Sequence, residues 1–130
     1  MTSRFSEVVV DSHDPLRLAR FWSEVLGYTI IDETPEVVEI AGTEQTAEAL
    51  RAGVVPPTII FIAVRDEKMV KNRVHIDLRP VDRTTAEEVE RIIALGARRA
   101  DIGQPADATW VVLADPEGNE FCVLRELDPG

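Results

Sequence analysis

Cysteine is nearly absent from this chain of 130 residues: Cys122 stands alone, so no internal disulfide can form, and such usage suits a reducing compartment. Long apolar runs are also missing. Hydrophobic residues make up 45% of the sequence, an ordinary globular share, but no run approaches the roughly 20 residues a bilayer-spanning helix needs. Basic residues are sparse and scattered. Fourteen Lys and Arg face 24 Asp and Glu, for a net charge of −10, which argues against nucleic acid, because phosphate binding needs clustered cations. The acidic balance also disfavours an anionic membrane surface, while the local sign of a pocket stays open. The opening stretch MTSRFSEVVV lacks a basic segment followed by an apolar one and a cleavage site, so the chain is placed in the cytoplasm. No GxSxG, P-loop, dinucleotide-binding glycine pattern or CxxC pair occurs, which leaves hydrolase, nucleotide-binding and thiol-redox readings unsupported.

What the sequence does contain is a repeat of itself. Glu7 to Asp14 leads into a helical pattern that stops at Leu26-Gly27, and His75 to Asp82 leads into a second that stops at Leu95-Gly96. Strand, entry acid and helix stop recur about 68 residues apart, which a tandem duplication explains economically. Two such units related by a pseudo-twofold axis can build one shared pocket. A half of roughly 65 residues is marginal alone, so the chain is expected to fold as a single domain over 1–130, made of module 1 (1–68) and module 2 (69–130).

Local signals give each module the same plan. Phe5 to Asp11 is β-rich; Asp14-Pro15 supplies an N-cap and a first-turn proline. Leu18, Phe21, Trp22 and Val25 form one apolar helix stripe, read as core. Tyr28–Asp32, Glu36–Ile40 and Thr58–Val64 read as strands, while 41–53 reads as either a short helix or a mobile flap, and Arg65–Arg73 as a charged linker. In the second copy Val74–Val81 is a predicted strand, and Thr84 with Glu87 has capping-box spacing. Val89, Ile92 and Ile93 face the core, and strands are expected at Arg98–Ile102, Thr109–Ala114 and Glu120–Leu124 around the turn Asp115-Pro116-Glu117-Gly118-Asn119. The expected class is α+β: tandem βαβββ modules forming a curved mixed-sheet cup with helices outside.

The duplicated plan, the helix ending in Leu26-Gly27-Tyr28, the Val74-His75-Ile76-Asp77-Leu78 strand and the Asp115-to-Phe121 hairpin together resemble the vicinal oxygen chelate superfamily. That group includes glyoxalase I, bleomycin-resistance proteins and extradiol dioxygenases, and the likeness is nearest to its glyoxalase-like domain proteins. In metal-dependent members the ion sits in the cup on first and last strands of each module. Carried over position by position, the resemblance puts His75 and Glu7 on the first strands and Cys122 on the last strand of module 2, where a glutamate is usual. The last-strand position of module 1 falls on or near Ile62, which cannot coordinate. Cofactors are therefore either none or one divalent ion, with Glu7, His75 and Cys122 as an admissible zinc set and a poor one for hard octahedral ions.

Structural roles compete with these. His75 can pair with Glu7 without catalysis, and Cys122, between Phe121 and Val123, suits a small buried strand residue. Asp77 and Arg79 share a face with His75 and form either an ion pair or a polar wall that orients a ligand; Glu120 shares a face with Cys122 at the cup rim or a strand end. Trp110 is either core or an aromatic platform, and His13 is read as an exposed loop residue. Two functions follow. One is a bleomycin-resistance-type protein that holds a small organic molecule in the cup, with a degenerate metal site. The other is a glyoxalase-type lyase, isomerase or dioxygenase with Glu7 and His75 as catalytic groups. The wealth of Val and Ile favours the first. The resemblance further implies a homodimer.

Overall fold

The computed structural model describes residues 2–53 and 55–127. The chain divides into two compact units, Met1–Asp66 and Glu67–Gly130.

The first unit runs β1 (Glu7–Ser12), α1 (Pro15–Leu26), β2 (Thr29–Glu33), β3 (Val37–Ala41), α2 (Ala47–Ala52) and β4 (Thr58–Ala63). Asp14 caps α1 by accepting from the Arg17 amide at 3.2 Å, Pro15 occupies the first turn, and Gly27 ends the helix at φ 69°. That left-handed angle is the reason a glycine stands there. The sheet order is β1-β4-β3-β2, with β1 parallel to β4 and the other pairs antiparallel. Alternation sends Ile59 and Phe61 of β4 and Val38 and Ile40 of β3 to one face, all buried. Helix α1 packs on β3 and β4 through Leu18, Phe21, Trp22 and Val25, and the Phe21 and Trp22 rings meet edge to face at 5.3 Å. The other face carries Glu7, Val9 and Asp11, which are exposed, beside half-buried Ile60 and Ile62. Of the two readings of 41–53, the helix holds in part: Thr46 caps α2 by accepting from Ala49, and no α2 residue is buried. His13 is tied down rather than loose, its Nε2 lying 2.7 Å from the Asp66 carbonyl.

The second unit repeats the connectivity: β5 (Asp77–Leu78), α3 (Thr85–Leu95), β6 (Arg98–Arg99), β7 (Val111–Ala114) and β8 (Glu120–Val123). Its sheet order, β5-β8-β7-β6, reproduces that of the first unit strand for strand, again with the first and last strands parallel. The chain is thus α+β, with a mixed open sheet in each unit. Thr84 and Glu87 close a full capping box at the start of α3. Leu113, Phe121 and Val123 share one face, fully buried, and α3 packs on β8 with Val89 and Ile92 buried.

Three strands are shorter than predicted by two residues or more. Pro80 offers no N–H, and only Asp77 and Leu78 of the expected 74–81 strand enter the ladder. β6 stops after Arg99 because side chains take over the backbone donors: Gln104 accepts from the Ile102 amide and Asp101 from that of Gly103, both at 2.8 Å. Trp110 lies before β7 rather than at its centre. Among the described residues no helix is long and apolar enough to cross a membrane.

Candidate functional site

Register identifies the face of the second sheet opposite its core. Asp77 pairs with Cys122, Cys122 with Val112, and Glu120 with Ala114, which pairs with Arg98. Paired residues point the same way and alternate residues share a face, so Asp77, Cys122, Glu120 and Arg98 all project to this open side.

Three candidate residues come together here. One ligand atom each of His75, Asp77 and Cys122 lies within 4.8 Å of the others, and His75 Nδ1 stands 3.0 Å from Asp77 Oδ1. His75 and Asp77 are partly exposed, at 36% and 45% of their side-chain surface, while Cys122 is buried. Burial pushes the Cys122 thiol up from its ordinary value, the Asp77 carboxylate beside it pushes the same way, and the Lys71 ammonium opposes them. The sulfur is therefore a protonated thiol at neutral pH, hydrogen-bonded to Asp77.

Glu120 is more deeply engaged than a strand-end residue. It is 9% exposed, and Lys68 Nζ sits 2.6 Å from Oε1 and 3.0 Å from Oε2. The Asn72 amide donates to Oε1 at 3.1 Å. Burial raises its pKa, but the Lys68 ammonium and the Asn72 amide outweigh burial and hold the carboxyl below its usual range. Lys68 was invisible as a site residue in the sequence, since a charged linker carries no periodicity that would place it.

The remaining candidates have surroundings of their own. The Arg79 guanidinium donates to the Arg125 carbonyl at 2.7 Å. Trp110 is half-buried and lines a cavity of about 410 Å³ with Gln104, Pro105 and Val112. Glu7 is exposed on β1 of the first unit, opposite Thr58. Register also refines the duplicated positions. Val9 pairs with Ile60 as Asp77 pairs with Cys122, so the first-unit counterpart of Cys122 is Ile60, not Ile62. The chemical consequence is unchanged, as neither coordinates. By the same register Thr58 answers to Glu120; its hydroxyl donates to Glu39 Oε2 at 2.6 Å.

The trio's donors decide which ion it could hold. Imidazole, carboxylate and thiolate form a mixed set suited to a borderline-soft ion such as zinc, and three protein ligands leave a position open. They do not fit a hard ion, which prefers oxygen throughout. His75, Asp77 and Cys122 would hold the zinc, and its chemistry there would be to polarise a carbonyl as a Lewis acid.

Comparison with known proteins bears on the fold. The model of the glyoxalase-like domain matches residues 7–124. A glyoxalase/bleomycin resistance protein/dioxygenase family enzyme from Burkholderia phytofirmans is similar with a TM-score of 0.65 and 20% identity, over 97% of this chain and 100% of that one. A mutant of the fosfomycin resistance protein FosX from Listeria monocytogenes, complexed with Mn(II) and 1S,2S-dihydroxypropylphosphonic acid, gives 0.67 and 16%, over 98% and 93%. The solution structure of protein ATC0852 from Agrobacterium tumefaciens gives 0.62 and 15%, over 98% and 100%. Among curated proteins nothing matches the chain.

Proposed function

Because the chain belongs to the glyoxalase-like domain family, we propose that it binds a small organic molecule on the open face of its second unit, with His75 and Asp77 as polar anchors and no hard metal ion at its centre. One observation carries this reading. The last-strand residue is a buried thiol held protonated by burial and by Asp77, and a hard ion gains little from such a donor. A groove of about 480 Å³ bordered by Glu120 and Ala114 lies on the same face, within the size range of small-molecule sites. The bleomycin-resistance type of activity, holding a ligand without turnover, needs no more than this.

The test is a ligand-observed NMR screen of small aromatic and dicarbonyl compounds against protein kept in EDTA. Binding that persists without metal and weakens in His75→Ala supports the reading. No binding by any compound in EDTA would sink it.

A second reading is favoured by the 4.8 Å clustering of His75, Asp77 and Cys122: a zinc-dependent lyase or isomerase, with these three side chains as the ligands. It predicts about one equivalent of zinc by elemental analysis of untagged protein, lost in His75→Ala. Less than about a tenth of an equivalent after zinc equilibration would remove it. We further take the protein to be a cytoplasmic homodimer. The support is apolar surface at Met69 and Val74, 84% and 85% exposed, beyond what an isolated monomer gains by exposing. Light scattering at the monomer mass would overturn the dimer.

A further inference from the structure

We infer that the groove on the open face of the second unit is an anion site, selecting ligands that carry a carboxylate or phosphate group. The inference rests on the small-molecule reading above and names its ligand class. The groove is bordered by the strap Lys68–Lys71 on one side and by Arg98 and Arg99 of the edge strand β6 on the other. Its border carries Lys68, Lys71, Arg98 and Arg99 against Asp101, Glu117 and Glu120, so the local charge is not the strongly negative one of the chain as a whole, at −10.

Acids also border it, namely Glu120, Asp101 and Glu117. Glu120 is neutralised by Lys68 and the Asn72 amide. Asp101 accepts from the Gly103 amide at 2.8 Å. With Lys68 set against Glu120, Lys71, Arg98 and Arg99 share the border with the carboxylates of Asp101 and Glu117. Among the described residues Lys71 donates to the neutral Asn72 carbonyl, at 3.1 Å, and its ammonium is near enough to Cys122 to act on the thiol. Arg98 faces the open side through its pairing with Ala114, and its terminal nitrogen lies over Gly118, 3.6 Å from where a Cβ would stand. Neither Arg98 nor Arg99 has a carboxylate partner among the described residues. Guanidinium groups present forked donors that match carboxylate and phosphate oxygens. An anionic group between Arg98 and Lys71 would leave the rest of the molecule directed along the strap toward His75 and Asp77.

The test is an ¹⁵N–¹H NMR titration of the full chain with inorganic phosphate, benzoate and benzamide. Benzoate and phosphate should shift the amides of 68–72 and 98–102, and benzoate should bind about tenfold or more tightly than benzamide. Arg98→Gln should abolish that preference, and Arg17→Gln, an exposed arginine of the first unit, should leave it intact. Which of benzoate and phosphate binds more tightly identifies the ligand group. Equal binding of benzamide and benzoate, indifferent to Arg98→Gln, would overturn the anion site and leave the small-molecule reading standing. Failure of all three probes to bind would overturn the anion site, while the small-molecule reading stands or falls with the screen in EDTA.

Discussion

Glu120 shows how one residue can read as ordinary in a sequence and prove to be a fastening point. Alternation puts it on the face of Cys122, which is correct, yet nothing in a charged linker announces that Lys68 closes on it at 2.6 Å. A period of two places Asp77 on the face of His75, whereas a shared site for His75 and Cys122 is implied only by the family resemblance. Arg79 shares that periodicity, and its guanidinium donates to the Arg125 carbonyl. Substituting Glu120→Gln should destabilise the protein by about 1–3 kcal/mol at neutral pH, because Lys68 then loses its charged partner in a mostly buried setting. The folded pKa of Glu120 lies below 4.5, so its contribution is present above that value and lost as pH falls through the folded pKa. Urea unfolding should therefore show the gap between native and variant proteins narrowing below pH 4.5; a gap that is constant with pH would contradict this account. His75→Ala, at a partly exposed side chain, should cost about 0.5 kcal/mol or less in the same assay.

At the level of elements, capping signals were the most faithful part of the sequence. Asp14, Thr84 and Glu87 all act as their spacing implied, because a cap is a local arrangement between a side chain and the orphan amides of one helical turn. Strand lengths were less legible. The Val74–Val81 pattern is β-like, but ladder pairing depends on a distant partner strand, and only two residues find it. The start of α3 holds a second clasp that sequence could not show: Glu126 accepts from both the amide and the hydroxyl of Thr85. Those hydrogen bonds lower the Glu126 pKa from 4.5 to about 2. The carboxylate form is the one that grips α3, so its contribution is complete above pH 4.5 and disappears as pH approaches 2. Melting temperature should fall across that window, and Glu126→Gln should flatten the profile; an unchanged slope in the variant would remove the clasp. Thr84→Ala should cost about 1 kcal/mol, read by the same melts, through loss of the cap to the Glu87 amide.

For the whole molecule, the duplication was the strongest signal. Two copies of one connectivity produce two sheets with the same strand order and the same mixture of parallel and antiparallel pairs. What the copies do not share is sheet completeness. β1 and β4 pair over six residues, whereas β5 and β8 pair over two. A unit of this size supports only a few kcal/mol from its core even with complete strands, and the second unit begins with fewer ladder bonds to offset its ordering entropy. A fragment spanning 67–130 should accordingly be unfolded in isolation, with a narrow amide proton spectrum and no cooperative melt. The full chain should melt in a single calorimetric transition whose van't Hoff and calorimetric enthalpies agree. A dispersed spectrum from the fragment, or two resolved transitions in the full chain, would instead make each unit an independently stable domain. The anion groove could then be studied on the second unit alone, since every residue that borders it lies between 68 and 120.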